Sequence, residues 1–521
     1  MPLNVKELII VLALSTLVFA VGRSTALQFM DEGDFKRRRN VWLILSAAAF
    51  LSPNFWLFAL VAAPALYIGG RKDGNPMAFY LLLMNVIPSI PIQIPTNGLG
   101  IQQLFYLDIF RLLSICVLVP AALKLRRSDD PHRIRGLQGM DYLLIGYGIL
   151  TVAFFVPPDR PDHVILHNSF TNVLRDAFLF VLDIYLVYYV ASRSATRKRV
   201  IVDALAAFCL SCTVMATIAA FESVKHWLLY TGLFVTWGGD LMQTAYMYRA
   251  GLLRAVSSSG NALVMGYLLA IGFGFWLHLK AQVKSPAARL AIPAVLWMGL
   301  LASFSRGPWL GAILIYFAYP AFSPRGASRL FKSALILAVA GAVLLASPIG
   351  EHITKTLPFV GSKQTQAASS LSYREQLAAR SWELILEHPF LGDQLAMTKM
   401  EDLRQGQGII DLVNVYVGLA LFHGLAGVVL FMSFILVALS RVWHTARSSP
   451  SGDNDLTLLA ACLGAAIVGT LLMMAACSFI LGYIPVFFTL GGLAIGCSRL
   501  SPDPQTQPSR RLPVASTLEA S

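Results

Sequence analysis

The chain has 521 residues, 56% of them hydrophobic and only 13% charged. Soluble domains carry about 25% charged residues, so this composition excludes an ordinary soluble enzyme. The 41 basic against 28 acidic residues give a formal net charge of +13. The basic residues fall in short loops between long apolar runs, the charge pattern of cytoplasmic loops in a membrane protein. That placement excludes a nucleic-acid partner. The alternating ten-residue blocks of an outer-membrane barrel are missing.

Taken in chain order, the apolar runs predict an all-α polytopic membrane protein of about fourteen transmembrane helices. The first run, 8–22, has no small-residue cleavage site after it and reads as a signal anchor. The next, 41–69, is interrupted by Ser52-Pro53-Asn54 and flanked by basic clusters at Lys36–Arg39 and Arg71-Lys72. It reads as two short helices joined outside, which leaves the N-terminus outside as well. Spans follow at 77–94, 104–123, 139–157, 173–191 and 201–221. A first long extracytoplasmic segment runs from Glu222 to Gly260. Spans at 261–279, 288–303, 308–322 and 331–347 lead to a second, the large loop 348–413. Spans at 414–440, 456–476 and 480–498 complete a membrane domain over 1–498. The residues 499–521 have four prolines and few apolar side chains, and read as a disordered cytoplasmic tail.

The large loop carries a predicted amphipathic helix at about 372–388. Ser372 and Glu375 have capping-box spacing. Tyr373, Leu377, Leu384 and Ile385 line one face, Arg374, Arg380, Glu383 and Glu387 the other, and Pro389 and Gly392 end it.

Few residues in the spans suggest chemistry. Cys209 and Cys212 form a CxxC pair inside an apolar run, and all six cysteines read as small core residues. His163 and His167 have i, i+4 spacing, but Pro161 argues against a helix there. No metal or other cofactor is implied. Asp108 and Arg111 are three apart and close enough to pair. Asp183 lies mid-span, where an acid needs a partner or water.

The stretch Ser303-Phe304-Ser305-Arg306-Gly307-Pro308-Trp309 is a tight turn between two spans. Pro308 suits the first helical position. The free N–H groups of that helix, together with Arg306, would form a phosphate site. A plain hairpin turn with Arg306 snorkelling to lipid headgroups fits the residues too. Asp411, just ahead of a long apolar run, fits an ordinary N-cap. His423 reads as a hydrogen-bonded packing residue.

Ser305-Arg306-Gly307-Pro308-Trp309-Leu310-Gly311 resembles the SRG-x-W-L signature of the O-antigen ligase and O-antigen polymerase superfamily. Tyr373-Arg374-Glu375 followed by His388-Pro389-Phe390-Leu391-Gly392 resembles the arginine-bearing helix of that family's large periplasmic loop. Gly408 to Tyr416, then His423-Gly424-Leu425-Ala426-Gly427, is similar to the loop's exit into a late span. Leu253-Arg254-Ala255 is a looser match.

The resemblance implies a metal-independent, inverting glycosyltransferase of a bacterial inner membrane, working at its periplasmic face. Its substrates would be undecaprenyl-diphosphate-linked oligosaccharides. Arg306 and Arg374 would hold the diphosphate, with Arg254, Arg380, Asn414 and Tyr416 as further substrate-binding positions. The family's ligases carry a His-Asn pair where this chain has Val413-Asn414, so Asp411 is the candidate base. That difference resembles the repeat-unit polymerases of exopolysaccharide pathways more than the ligases. Besides the bilayer, a chain-length regulator and a flippase of the same pathway are the implied partners. The rival from another class is a secondary transporter or lipid flippase, with Asp108 and Asp183 at midplane.

Overall fold

The structure, a computed structural model, describes residues 3–94, 105–127, 135–153, 170–239, 248–249, 252–322, 366–404, 410–448, 454–477 and 482–500, with isolated residues between 326 and 334. The predicted span 331–347, the first part of the large loop, His163 and His167, and the predicted tail beyond Leu500 lie outside the described residues.

The fold is all-α. Five described helices are long and apolar enough to cross a membrane: Leu3–Ala26 (α1), Lys198–Lys225 (α10), Ala262–Leu279 (α12), Val415–Ser448 (α16) and Asn454–Met474 (α17). Shorter apolar helices stand beside them, among them Gly139–Ala153 (α7), Pro286–Ala302 (α13) and Ile484–Cys497 (α18). Helices apolar on every side belong in the interior. Accordingly α10, α12 and α17 are mostly buried, while α1 and α16 keep most of their surface outward.

The packing rests on small residues, which let helix backbones approach closely. Arg306–Phe322 (α14) meets α17 through Gly311 against Met473 and Gly469 against Ile315. Gly266 of α12 lies under Pro308, where an added Cβ would come within 2.6 Å of the proline ring. Cys209 and Cys212 are buried in this core, and Cys212 Sγ donates to the Leu268 carbonyl at 3.4 Å.

The interrupted run 41–69 is two helices, Glu32–Leu51 (α2) and Phe55–Lys72 (α3). Asn54 caps the second by accepting from Leu57 N at 2.9 Å. The expected span 77–94 is corrected: its helix, Pro76–Leu83 (α4), stops at Leu83. Pro88 and Pro91 lack the N–H a continuing helix needs. Asn85 instead ties to Ser211 Oγ (2.9 Å) and, through its carbonyl, to Ser258 Oγ (2.5 Å). The chain ends there in a two-residue ladder, Ile92–Gln93 (β1) on Tyr106–Leu107 (β2).

The expected Asp108–Arg111 side-chain pair is also corrected. Asp108 caps Ile109–Leu113 (α5), accepting from Arg111 N at 2.9 Å. The Arg111 guanidinium reaches Asp183, 72 residues on, at 3.1 and 2.9 Å. Asp183 lies in a π-turn, Val181–Tyr185, between Phe170–Phe180 (α8) and Leu186–Ser194 (α9). A π-turn shifts the helix's facing residues, and here the acid meets its cation.

At the opposite end of the bundle, part of the basic clustering is structural. Arg38 is wholly buried and binds Asp73 (3.0 and 2.8 Å) and Asp203 (2.6 and 3.0 Å). Arg193 is buried against Asp141 at 2.6 Å.

Candidate functional site

The site begins with a buried carboxylate. Glu222, near the end of α10, accepts from Leu229 N (3.0 Å), Val256 N (3.0 Å) and Ser257 N (2.8 Å). These bonds fix the segment after the ladder of Tyr248–Arg249 (β3) with Leu252–Leu253 (β4), together with Ala255 N donating to the Ala302 carbonyl at 3.0 Å. Arg254 is thereby set beside the turn between α13 and α14. Its Nε donates to the Ser303 carbonyl (3.1 Å) and its Nη2 to Ser305 Oγ (2.7 Å).

That turn is tightly specified. Phe304 takes φ 45°, an uncommon conformation for a residue with a side chain. Ser303 Oγ donates to the Leu300 carbonyl (2.7 Å) and accepts from Ser305 N (3.3 Å). Trp309 Nε1 donates to the Leu300 carbonyl at 2.8 Å. The helix starts at Arg306, two residues earlier than Pro308 suggested. Arg306 therefore lies in the first turn, half-buried, at the positive end of the helix dipole.

The loop helix runs Gln366–Glu387 (α15). Ser372 consequently lies inside it, and the expected capping box is not where the helix begins. The apolar face is as predicted. Tyr373, Leu377, Leu384 and Ile385 join Ala396, Met400, Leu412 and Leu421 in a small core separate from that of the bundle. The Tyr373 hydroxyl accepts from Asp411 N at 3.1 Å. Arg374, next to Tyr373 on the same helix, is exposed.

Tyr267 is the meeting point. A Cβ on Gly307, next to Arg306, would stand 3.7 Å from its hydroxyl. That hydroxyl donates to the Met473 carbonyl at the end of α17, and its ring meets Tyr483 at 5.3 Å. Cys477 lies close enough to feel both this hydroxyl and Asp411. The Arg306 turn thus lies at one end of α12 and α17, braced by Arg254, and the loop's exit reaches the same end of α17 through Tyr416, with Asp411 N held by Tyr373.

Other predicted residues have structural tasks. Asn414, not Asp411, caps α16, accepting from Tyr416 N (2.9 Å) and Val417 N (3.3 Å). Tyr416 donates to the Leu471 carbonyl at 2.9 Å. Arg380 binds Glu383 (2.8 Å) and the Lys399 carbonyl (3.3 Å), both within the cap.

The two glycine motifs of the loop lock into each other. α16 breaks at Gly424 (φ 59°, ψ −161°). Into the break fits the His388–Gly392 stretch. Leu425 N donates to the Pro389 carbonyl (2.8 Å), Ala426 N to that of Phe390 (3.1 Å), and Asp393 N to that of Leu421 (2.7 Å). A Cβ on Gly424 would come within 2.4 Å of this backbone. His423 packs without the expected hydrogen bond: its ring nitrogens have no protein partner among the described residues. It lines a largely apolar cavity of about 260 Å³ with Tyr147, Thr151, Asp176 and Asp183.

Residues 291–432 match the O-antigen ligase family. The O-antigen ligase match takes in α13, the Arg306 turn, Arg374 and the break at Gly424. An O-antigen ligase of Pseudomonas aeruginosa is similar too, 24% identical over 266 residues, covering 50% of this chain and 61% of the relative. The chain spans about three fifths of the length of that curated relative. The family resemblance carried by the motifs is therefore met by the O-antigen ligase match. Tyr267 and Glu222 were missed in the sequence. Nothing around either distinguishes it from a core tyrosine or a helix-end acid.

Proposed function

We propose that this protein is a polysaccharide polymerase, an inverting glycosyltransferase that moves a glycan from undecaprenyl diphosphate onto the next lipid-linked repeat unit. The observation that carries the reading is the meeting of the Arg306 turn and the loop's exit at one end of α17: Tyr267, beside Gly307, bonds Met473, Tyr416 bonds Leu471, and Tyr373, next to Arg374, holds Asp411 N, within a chain segment that matches the O-antigen ligase family. In the reaction, a hydroxyl of the acceptor sugar attacks the anomeric carbon of the donor. The bond to the diphosphate oxygen breaks, and the diphosphate leaves with the electron pair. Arg306 and Arg374 offset the charge that develops on it, a preorganised stabilisation that needs no metal. Asp411, relieved of capping by Asn414, takes the acceptor's proton.

The large loop 348–413 acts as a cap over this site, on the periplasmic face of a bacterial inner membrane. Two lipid substrates have to meet there, which calls for a lateral opening beside the Arg306 turn. Arg254, Arg380, Asn414 and Tyr416 are the further substrate-binding positions, Arg380 from the loop and Asn414 and Tyr416 from the start of α16, and a flippase and a chain-length regulator are the expected partners. A transporter has less support: Arg111 and Asp183, ionisable groups in the membrane-level core, are bound to each other.

Transfer to lipid A-core is the second reading, favoured by the curated relative's being an O-antigen ligase. Val413 at the position of the ligases' histidine supports polymerisation instead. The test is reconstitution of the purified protein with lipid-linked repeat units in EDTA. A ladder of lipid-linked oligomers with release of undecaprenyl diphosphate is expected. Product only when a lipid A-core acceptor is added would replace this reading by the ligase, and a requirement for a divalent cation would remove the arginine mechanism.

A further inference from the structure

The cap helix α15 has a side that packs on nothing described so far. Its core side faces the small core, and Arg380, Glu383 and Glu387 form a polar side. At about 100° per residue, Ala378, Trp382 and Leu386 fall on a third sector between these two, with the exposed Glu375 nearer the N-terminal end of the same sector. Trp382 is 63% exposed and Leu386 60%, and just past the helix end Phe390 is 71% exposed. Large apolar side chains bared together mark a contact surface.

The neighbouring helix shows what that surface meets. Leu425, Val429, Leu436 and Trp443 are exposed along one side of α16. From Leu425 to Trp443 that stripe measures about 27 Å at about 1.5 Å per residue, close to the ~30 Å of a bilayer's hydrocarbon core. It is the lipid-facing side of the helix, and Leu425 stands at its cap-side edge. Leu425 N and Ala426 N are the donors to the Pro389 and Phe390 carbonyls, so the end of α15 is held at that edge. Eight residues into α15, the Tyr373 hydroxyl accepts from Asp411 N, four residues before α16 begins. The helix is therefore moored to α16 and its lead-in at two points, near Tyr373 and just past its C-terminal end, and its exposed apolar side chains end beside Leu425.

We propose that α15 is an interfacial helix, lying along the membrane with Trp382, Leu386 and Phe390 inserted at the boundary between headgroups and acyl chains of the cap-side leaflet. Tryptophan suits that level, with an apolar ring and a polar N–H. An amphipathic helix lying in the interface buries its apolar side there in this way. Arg374 is then held at the depth of lipid phosphates. The placement stands on geometry alone and does not depend on the reaction proposed above.

The test uses the full chain in lipid nanodiscs, labelled with an environment-sensitive fluorophore at Leu386→Cys and, separately, Trp382→Cys. Both positions are exposed, so the substitutions leave the core intact. The unsubstituted chain, whose cysteines are buried or half-buried, serves as the labelling blank. Leu425→Cys is the lipid reference and Glu383→Cys the water reference. The expected result is a loss of emission to a shallow nitroxide-labelled phospholipid matching that at Leu425, with little loss to iodide. Quenching by iodide as strong as at Glu383, with none by the lipid, would overturn the proposal. So would shielding from both quenchers, which would assign the stripe to a protein partner or a second copy.

Discussion

Arg254 shows how a residue shapes a site through its neighbours. Hydrogen bonds from its guanidinium go to Ser303 and Ser305, and we read it as a positioning residue for the turn that presents Arg306. A hydrogen bond from a charged group contributes about 1.5–3 kcal/mol, and losing that much in the transition state slows a reaction about tenfold to a hundredfold. Arg254→Ala is expected to lower kcat by that amount with little change in thermal stability. Arg254→Lys, which can keep one of the bonds, should recover part of it. Steady-state rates on lipid-linked donor, read beside melting curves, check this. An equal loss in both variants with a lowered Tm would make Arg254 merely structural. The local sequence announced Arg254 and Arg306, since both sit in motifs. It did not announce their relation, because the bonds cross from one chain segment to another 49 and 51 residues away. Asp183 is the same case: its need for a partner was legible, but Arg111 becomes that partner only once a π-turn has aimed it.

Among the elements, the cap is held by one joint to α16 and one bridge inside the cap itself, and each makes a prediction. The first is the break in α16. At Gly424 a side chain would be strained by the positive φ and would meet the Phe390 backbone. Left-handed backbone at a non-glycine residue costs about 1–3 kcal/mol. Gly424→Ala should therefore loosen the cap, seen as faster amide exchange over 388–404 while the bundle's exchange stays unchanged. The second is Lys399, which bridges Asp393 (2.9 Å) and Glu387 (3.1 Å). Burial pushes the Asp393 carboxyl upward, but the hydrogen bond from Lys399 and that from Leu395 N prevail and hold it below its ordinary range. Its hydrogen bonds to Asp393 and Glu387 raise Lys399. A depressed acid stabilises above its unfolded value, about 3.9, and loses that contribution as pH falls through its folded value. A raised lysine stabilises below its unfolded value, about 10.4, and loses it as pH rises through its folded value. The cap should thus be tightest between these limits. Exchange over 388–404 is expected to rise as pH drops below about 4, and Lys399→Met should move that rise to higher pH. An unmoved onset would detach this bridge from the cap's stability.

Across the whole molecule, hydropathy made the helical bundle legible, because runs of apolar side chains are what a bilayer and a buried helix both require. It erred where polar tasks override apolarity. The run 77–94 loses its helix to prolines and to Asn85, and Arg38, one of four consecutive basic-cluster residues, is buried between two acids rather than solvated. The amphipathic face of α15 was read well, since it depends on spacing alone. Its start was not, because Ser372 and Glu375 have capping-box spacing whether or not a helix begins there. The cage of tyrosines around the site was invisible, as Tyr267 and Tyr483 lie within apolar runs like any core residue. Arg306, in the turn beside Tyr267, and Arg374, next to the tyrosine that holds Asp411 N, are proposed to act together on a diphosphate leaving group. The measurement that tests it most directly is Arg306→Ala, and separately Arg374→Ala, in the native host, with the polysaccharide analysed by size. The account predicts loss of long polymer and accumulation of single lipid-linked repeats, with both variants still in the membrane. Polymer of normal length and amount from both variants would contradict it.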